Sequence, residues 1–355
     1  LQRVGHIRLF AALAGLVAAS IMTLPILPSP IAWFVARLLT GLGCAGLFIT
    51  AESWLNATTT MANRGTIFAV YMVASNAAFG VGQFLINLPM PGGYELFSLA
   101  AAFFCLSLIP VCLTRSAAPI ITKSPRLHIS ELRRIAPTAL SGCATSGLAS
   151  SVFYTLVPVY AQSGGTSLAA ISTYMATAIF GGLVFQVPVG RLSDRMDRRL
   201  VAAGVAFGVV LTASSMAFLP PSRWFFVLTF FLGGFLSTIY PLSVAHANDR
   251  VPPEHVVSTS GQLILINGIA SFFGPIIGTA IMGHAGITGI FLIMATVAAL
   301  FAGLSLWRAI HLDPVRTKDR TFKILNAQMS QSTAHVADTD VDVEQAKDSS
   351  PEKYD

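Results

Sequence analysis

Few residues in this 355-residue chain have the types and spacing for chemistry. The common catalytic patterns are absent from the sequence. There is no H-E-x-x-H, C-x-x-C or G-x-S-x-G, and no glycine-rich loop closed by Lys-Ser/Thr to cradle a phosphate. Cys44, Cys105, Cys112 and Cys143 all sit in apolar runs without metal-ligand spacing. What remains is charge set in apolar surroundings. Arg37, Glu52 and His246 each lie inside a long hydrophobic stretch, and Asp194 stands among Arg191, Arg195, Arg198 and Arg199. Such groups can pair, bind an ion or pass a proton. They are not arranged to break a covalent bond, so the expectation is a protein without catalysis, metal or cofactor.

The elements that carry these groups follow from composition. Hydrophobic residues make up 54% of the chain and charged residues 11%, against about 25% charged in soluble domains. Mean hydropathy is +0.69. The charge is uneven. Residues 308–355 hold 16 charged side chains, and the other 307 residues hold 22. That excludes a secreted or cytosolic enzyme. The pI near 9.4 does not imply nucleic acid, because the cations follow a different logic.

A membrane-crossing helix needs about 20 mainly apolar residues. Ten stretches qualify: 9–27, 31–55, 66–88, 96–114, 136–160, 168–189, 200–219, 224–246, 259–282 and 286–307. Pro and Gly clusters punctuate the connectors, as at Pro28-Ser29-Pro30 and Ser163-Gly164-Gly165. Alternate connectors differ in charge. One set, with the tail, holds 20 Lys and Arg; the other holds Arg223 alone, and Arg37 lies in a span. By the positive-inside rule the N-terminus, the loop 115–134, the loop 190–199 and the tail are expected in the cytoplasm.

The long inner loop divides the spans four and six. A repeat is visible at an offset of 192: Arg3 falls opposite Arg195, and Gly41/Gly43 fall beside Gly233/Gly234. On this reading the chain begins in a loop whose two preceding spans are absent.

Residues 190–199, with Gly190, Leu192, Asp194, Arg195, Arg198 and Arg199, match the loop motif G-x-L-a-D-r-x-G-r-R, except that Asp197 stands where the pattern has its second Gly. Arg37, Gly41 and Gly43 give R-x-x-x-G-x-G. With this topology, the chain resembles the major facilitator superfamily (MFS). Glu52-Ser53-Trp54-Leu55-Asn56 and the stretch 240–249 are similar to its YcaD-like branch. The Gly-Pro motif of many exporters is missing, since residues 75–83 read S-N-A-A-F-G-V-G-Q.

The resemblance implies an all-α membrane protein with a two-bundle fold of repeated helices, ten of the family's twelve present. Its parts would be an incomplete four-span bundle at 1–114, a cytoplasmic loop at 115–135, a six-helix bundle at 136–309, and a polar, disordered tail at 310–355. It implies a multi-pass transporter of the cell inner membrane. A small solute would bind near the bilayer midplane and cross by alternating access, driven by a gradient for which protons are a candidate. The alternative is a receptor-like or truncated, non-transporting member. Expected partners are a small-molecule substrate and the lipid bilayer; no nucleic acid is expected, and the chain is taken as a monomer.

Residue roles follow at the same level. Gly190, Asp194, Arg195, Arg198 and Arg199 are the expected gating motif, with Arg250 a further partner. Arg37 lies about six residues, or about 9 Å, into its helix, where it could bind an anion, take part in coupling, or snorkel to the surface. Glu52, about 22 Å further along that helix, is a coupling carboxylate or a structural cap with Trp54 and Asn56. Asn76 and Gln83, seven apart, share a helical face. With Tyr154, Gln186, Tyr240, His246 and Asn267 they either line a cavity or make interhelical hydrogen bonds. Gly41 and Gly43 suit close helix packing. The segment 123–134 is either an amphipathic helix on the inner leaflet or a flexible linker.

Overall fold

The computed structural model describes residues 6–59, 61–88, 93–113, 128–219, 223–252 and 255–311. All regular structure in them is helical. The order is α1 (His6–Ile26), α2 (Pro30–Thr58), α3 (Met61–Gly82), a 3-10 turn (Gln83–Asn87), α4 (Glu95–Leu113), α5 (Ile129–Ile135), α6 (Pro137–Ser163), α7 (Leu168–Arg195), α8 (Arg198–Phe218), α9 (Arg223–Asn248), α10 (Val256–Ala285) and α11 (Gly289–His311). Nine of these helices, among the described residues, are long and apolar enough to cross a membrane. The stretch 66–88, expected as a tenth continuous span, is α3 followed by the 3-10 turn.

Local chemistry sets the ends. Ser29 caps α2, its Oγ accepting from the Ala32 amide, with Pro30 in the first turn, where its missing N–H costs nothing. Ser167 caps α7 the same way through Ala170. After α10 the chain turns at Gly286 with φ 78°, a left-handed conformation that a glycine adopts without strain. Pro158, Pro188, Pro241 and Pro275 lie inside helices. Neighbouring helices and local adjustment make this tolerable in membrane bundles.

The chain forms two compact units. In the first, α1 packs on α2 and α4. Ala14 and Val17 meet Leu47 there, with Phe104 and Leu108 against them, and the Trp33 indole donates to the Leu24 carbonyl over 2.8 Å.

The second unit holds α5–α11, the later part of α3 and the 3-10 turn. Its closest pairs are α7–α9, α6–α10 and α8–α11, closed by α8 against α9 and by α6 against α9 and α11. Small residues bring backbones together. Gly181 of α7 lies against the Phe230 carbonyl, and Gly233 of α9 against that of Ala178. Thr177 and Thr229 hydrogen-bond across this pair at 2.9 Å. One end of the unit is an aromatic cluster: Tyr160 packs edge-on to Phe291 at 4.9 Å, and Tyr174 meets Phe225 at 5.2 Å. The other end carries the charges described below. Outward positions stay apolar, as at Phe218, Leu300 and Trp224, which suits hydrocarbon and not water.

The segment before α6 contains a helix, α5. Its Leu132 is fully buried with Ala136, Ala139 and Tyr240, while Ile129 is exposed. Leu132, an apolar residue of the segment read as an amphipathic helix or a linker, therefore packs into protein. Residues 123–127 and the tail from 312, to which the linker and disorder expectations also refer, lie outside the described residues.

Candidate functional site

The charges collect where α7 ends and α8 begins. Two residues separate these helices, Met196 and Asp197. Asp197 is the N-cap of α8, its Oδ1 accepting from the Arg199 amide at 2.8 Å. The same carboxylate grips the Arg199 side chain, with Nε at 3.0 Å from Oδ1 and Nη2 at 2.6 Å from Oδ2. Arg199 still has a donor to spare, and its Nη1 bonds the Arg308 carbonyl in the last turn of α11 at 2.7 Å. Arg199 is 1% exposed.

Arg198 works the other way. Its Nε donates to Asp249, just beyond α9, at 2.7 Å. Its Nη2 reaches Asp194, one turn back in α7, at 3.4 Å, and its Nη1 reaches the Ser193 hydroxyl. Arg250, next to Asp249, donates to the Ile135 carbonyl at the end of α5 at 3.3 Å. One turn-to-helix step thus ties α7, α8, α9 and α11, and its neighbour ties α5. These are charge-assisted bonds, and the guanidinium fork suits them.

The electrostatics agree with the geometry. Burial would raise the Asp197 carboxyl, but hydrogen bonds from the Arg199 side chain and amide, with its charge, hold it below the usual carboxylate range. Burial, then the charges of Arg199 and Arg308, lower Arg250 from the ordinary guanidinium value.

The residues expected as the gating motif therefore lie at different depths. Arg198 and Arg199 are buried and bonded inside the second unit, Asp194 is half-buried, and Arg195 is exposed. Asp194 sits in the last turn of α7; the carboxylate that caps the next helix is Asp197. Gly190 is buried, and its carbonyl accepts from Ser193 Oγ at 2.8 Å.

The scattered polar residues do not form one group. Asn267 donates to the Cys143 carbonyl of α6 at 3.1 Å, and Ser271, one turn on, donates to that of Gly147. Tyr240 is buried in the α6–α9 core. Gln186 is buried in α7, and Tyr154 is exposed beside Phe153. The Asn76 amide donates to the Met72 carbonyl of its own helix, and Gln83 to that of Phe79. Their shared face breaks at its second member, because α3 ends at Gly82 and Gln83 opens the tighter 3-10 turn. His246 is buried and lies within electrostatic reach of Asp197, Arg198, Arg199 and Arg250. It belongs to the charged end, not to an isolated polar spot.

In the first unit, Arg37 and Gly41 share an exposed face of α2, and nothing lies within 4 Å of a Cβ built on Gly41. Gly43 is the packing glycine, set against Val17 of α1. Glu52 is 1% exposed. The Asn56 side chain lies outside the described residues.

Sequence reasoning missed Asp249 as the partner of Arg198, the Arg308 carbonyl, and the bond from Asn87 to Ser172. The signal for Asp249 was present: an acid closing an apolar span at the end where arginines gather. Backbone carbonyls give no such signal.

Among the described residues, no group of His, Cys, Asp and Glu could hold a metal ion.

The fold resembles solved transporters. A bacterial homologue of the human lysosomal transporter Spinster, in an inward-facing form, superposes with TM-score 0.62 at 16% identity, over 86% of this chain and 83% of that one. The Escherichia coli fucose:proton symporter FucP superposes with TM-score 0.52 at 15% identity, over 85% and 83%. In sequence, the MFS-type transporter YcaD of Escherichia fergusonii is 27% identical over 313 residues, covering 88% of this chain and 81% of the relative. Its counterpart in Salmonella enteritidis PT4 is 27% identical, covering 85% and 78%. The model of the Major Facilitator Superfamily matches residues 139–330, more than half of the chain. The helices, the arginine network and this match agree: the chain is a multi-pass membrane protein and belongs to the Major Facilitator Superfamily of transporters.

Proposed function

We propose that the protein moves a small solute across the cell inner membrane by alternating access, drawing on an ion gradient, with protons as the coupling ion to test first. The observation that supports this best is the tie of Arg198 to Asp194 and Asp249, which joins α7, α8 and the end of α9. It concentrates ionic ties at one end of the unit, where breaking and remaking them can change which side is open. The 20-to-1 distribution of Lys and Arg between the two sets of connectors supports reading that end, and the C-terminus, as cytoplasmic.

Arg37 on its exposed face of α2 is the proposed contact for an anionic or strongly polar group, with Gly41 leaving room beside it. Glu52, a carboxylate buried in the same helix, is the proposed proton carrier. Asp194, the more exposed acid of the pair that holds Arg198, is the proposed gating group. The chain is read as a monomer that needs lipid and solute but no cofactor or nucleic acid.

The test is solute uptake and efflux in proteoliposomes under an imposed proton gradient, against a panel of sugars, amino acids and organic anions. Wild type, Arg37→Ala, Glu52→Gln and Asp194→Asn are compared. Gradient-dependent flux in wild type, reduced in all three variants, is the expected result. Flux that ignores the gradient would sink the coupling role of Glu52. Binding of a solute without any flux would favour a receptor-like member.

A further inference from the structure

We propose that Asp197, Arg199 and the Arg308 carbonyl form a static latch that makes the adjoining ends of α8 and α11 one rigid piece, distinct from the ties that rearrange when the protein opens. Three observations support it. Asp197 makes two kinds of bond at once: it caps the α8 amide of Arg199 and grips that residue's guanidinium on both carboxylate oxygens. That grip fixes the planar fork so that Nη1 points at the last turn of α11, where the Arg308 carbonyl accepts it at 2.7 Å. And Arg199 is 1% exposed, so water does not compete for its donors.

The contrast within the motif is one of bond geometry, because the two acids are exposed to a similar degree, 27% and 20%, and both arginines are buried. The bond from Arg198 to Asp194 is 3.4 Å long. The Asp197–Arg199 pair is shorter, bidentate and backed by a backbone carbonyl. A single long contact gives way more readily than a short grip on two oxygens. To leave Asp197, the Arg199 guanidinium must break several charge-assisted bonds together at a buried site. The departure from the family pattern at position 197 therefore has a physical consequence: glycine there would neither cap α8 nor hold Arg199.

The latch does not depend on transport, and it can be probed without a substrate. Spin labels are placed on full-length protein in lipid nanodiscs, with the four native cysteines replaced by alanine. One pair, Leu200→Cys with Ile310→Cys, reports the latched ends; both positions are exposed. A control pair, Phe218→Cys with Leu292→Cys, also exposed, reports the far ends of the same two helices. Wild type should give one narrow distance distribution at each pair. Asp197→Gly should broaden the first and leave the second unchanged.

Asp197→Gly leaves a buried arginine and can fail to fold. The double variant Asp197→Ser/Arg199→Leu avoids this, since serine keeps the cap and leucine removes the buried charge. It should fold and still lose the narrow distance at the latched ends. A narrow distribution retained there in the double variant would overturn the proposal. So would equal broadening at both pairs, which would mean general loosening instead of a local latch.

Discussion

Arg198, the first residue of α8, donates from Nε to the carboxylate of Asp249, just past α9, over 2.7 Å, and both side chains are at least nine-tenths buried. A pair of this kind is unequal in its failures. Losing both charges together can be neutral, whereas losing one takes the shortest ionic contact from a charge that stays buried. Arg198→Met and Asp249→Leu should each destabilise by about 3–5 kcal/mol, and the double variant should recover most of that loss. Unfolding followed in detergent micelles checks this. Single and double variants of equal stability would show that the pair is not coupled.

The Asp197 carboxyl gives a pH dependence of definite sign. Its folded value lies below the unfolded one, so the folded state holds fewer protons in between. The stability it contributes is complete above about pH 4, the unfolded carboxylate range, and is lost as pH falls through the lower folded value. Melting temperature measured from pH 7 down to pH 3 should drop more steeply for wild type than for Asp197→Asn. Parallel curves would contradict the assignment.

The α6–α10 contact should depend on atoms that look minor in sequence. Asn267 and Ser271 donate to two α6 carbonyls a turn apart. Asn267→Ala should cost about 0.6–2 kcal/mol. Gly147→Val should cost roughly 1–3 kcal/mol, because its side chain would meet the Asn267 backbone, which has no rotamer to change. Denaturant titration of the two variants against wild type reads both effects, and the glycine variant should be the weaker protein.

Gly41 and Gly43 should separate function from folding. Gly41→Ala places a methyl in open space on a helix and should stabilise by up to about 1 kcal/mol. Gly43→Leu drives a side chain into Val17 and should destabilise by about 1–3 kcal/mol. If the Arg37 face binds solute, Gly41→Leu should lower flux with little change in melting temperature. Unchanged flux in a well-folded Gly41→Leu protein would remove that face from the proposal.

Much of the fold was legible because a bilayer constrains sequence so strongly. Backbone groups in hydrocarbon must bond within their own helix, so a run such as 286–307 has few structures open to it. The ends were legible where a side chain sets them, as at Ser29-Pro30. The break at Gln83 was not, since α3 and the 3-10 turn share one apolar run and differ only in hydrogen-bond register.

The charged end was half legible. The spacing of Gly190, Asp194, Arg198 and Arg199 identified the motif, and Asp197 was visible as its one substitution. Which acid holds which arginine was not, because both lie within two to four residues of each other and either pairing satisfies the spacing. His246 read as an isolated polar residue because, apart from Arg250 one turn on, the charges near it lie about 50 positions away, at Asp197, Arg198 and Arg199.

By itself the sequence determined the helices, their number to within one broken span, and the end at which charge accumulates. These follow from local hydrophobicity and from the cost of moving Lys and Arg across a bilayer. Only the tertiary structure decided what the polar groups do. It made Asn267 a tie to α6, buried Leu132 in protein, and turned Arg199 toward a carbonyl 109 residues away. The reason is physical: a hydrogen bond depends on where its acceptor lies to within a few tenths of an ångström, and a backbone carbonyl has no identity in the sequence until the helices that carry it are packed.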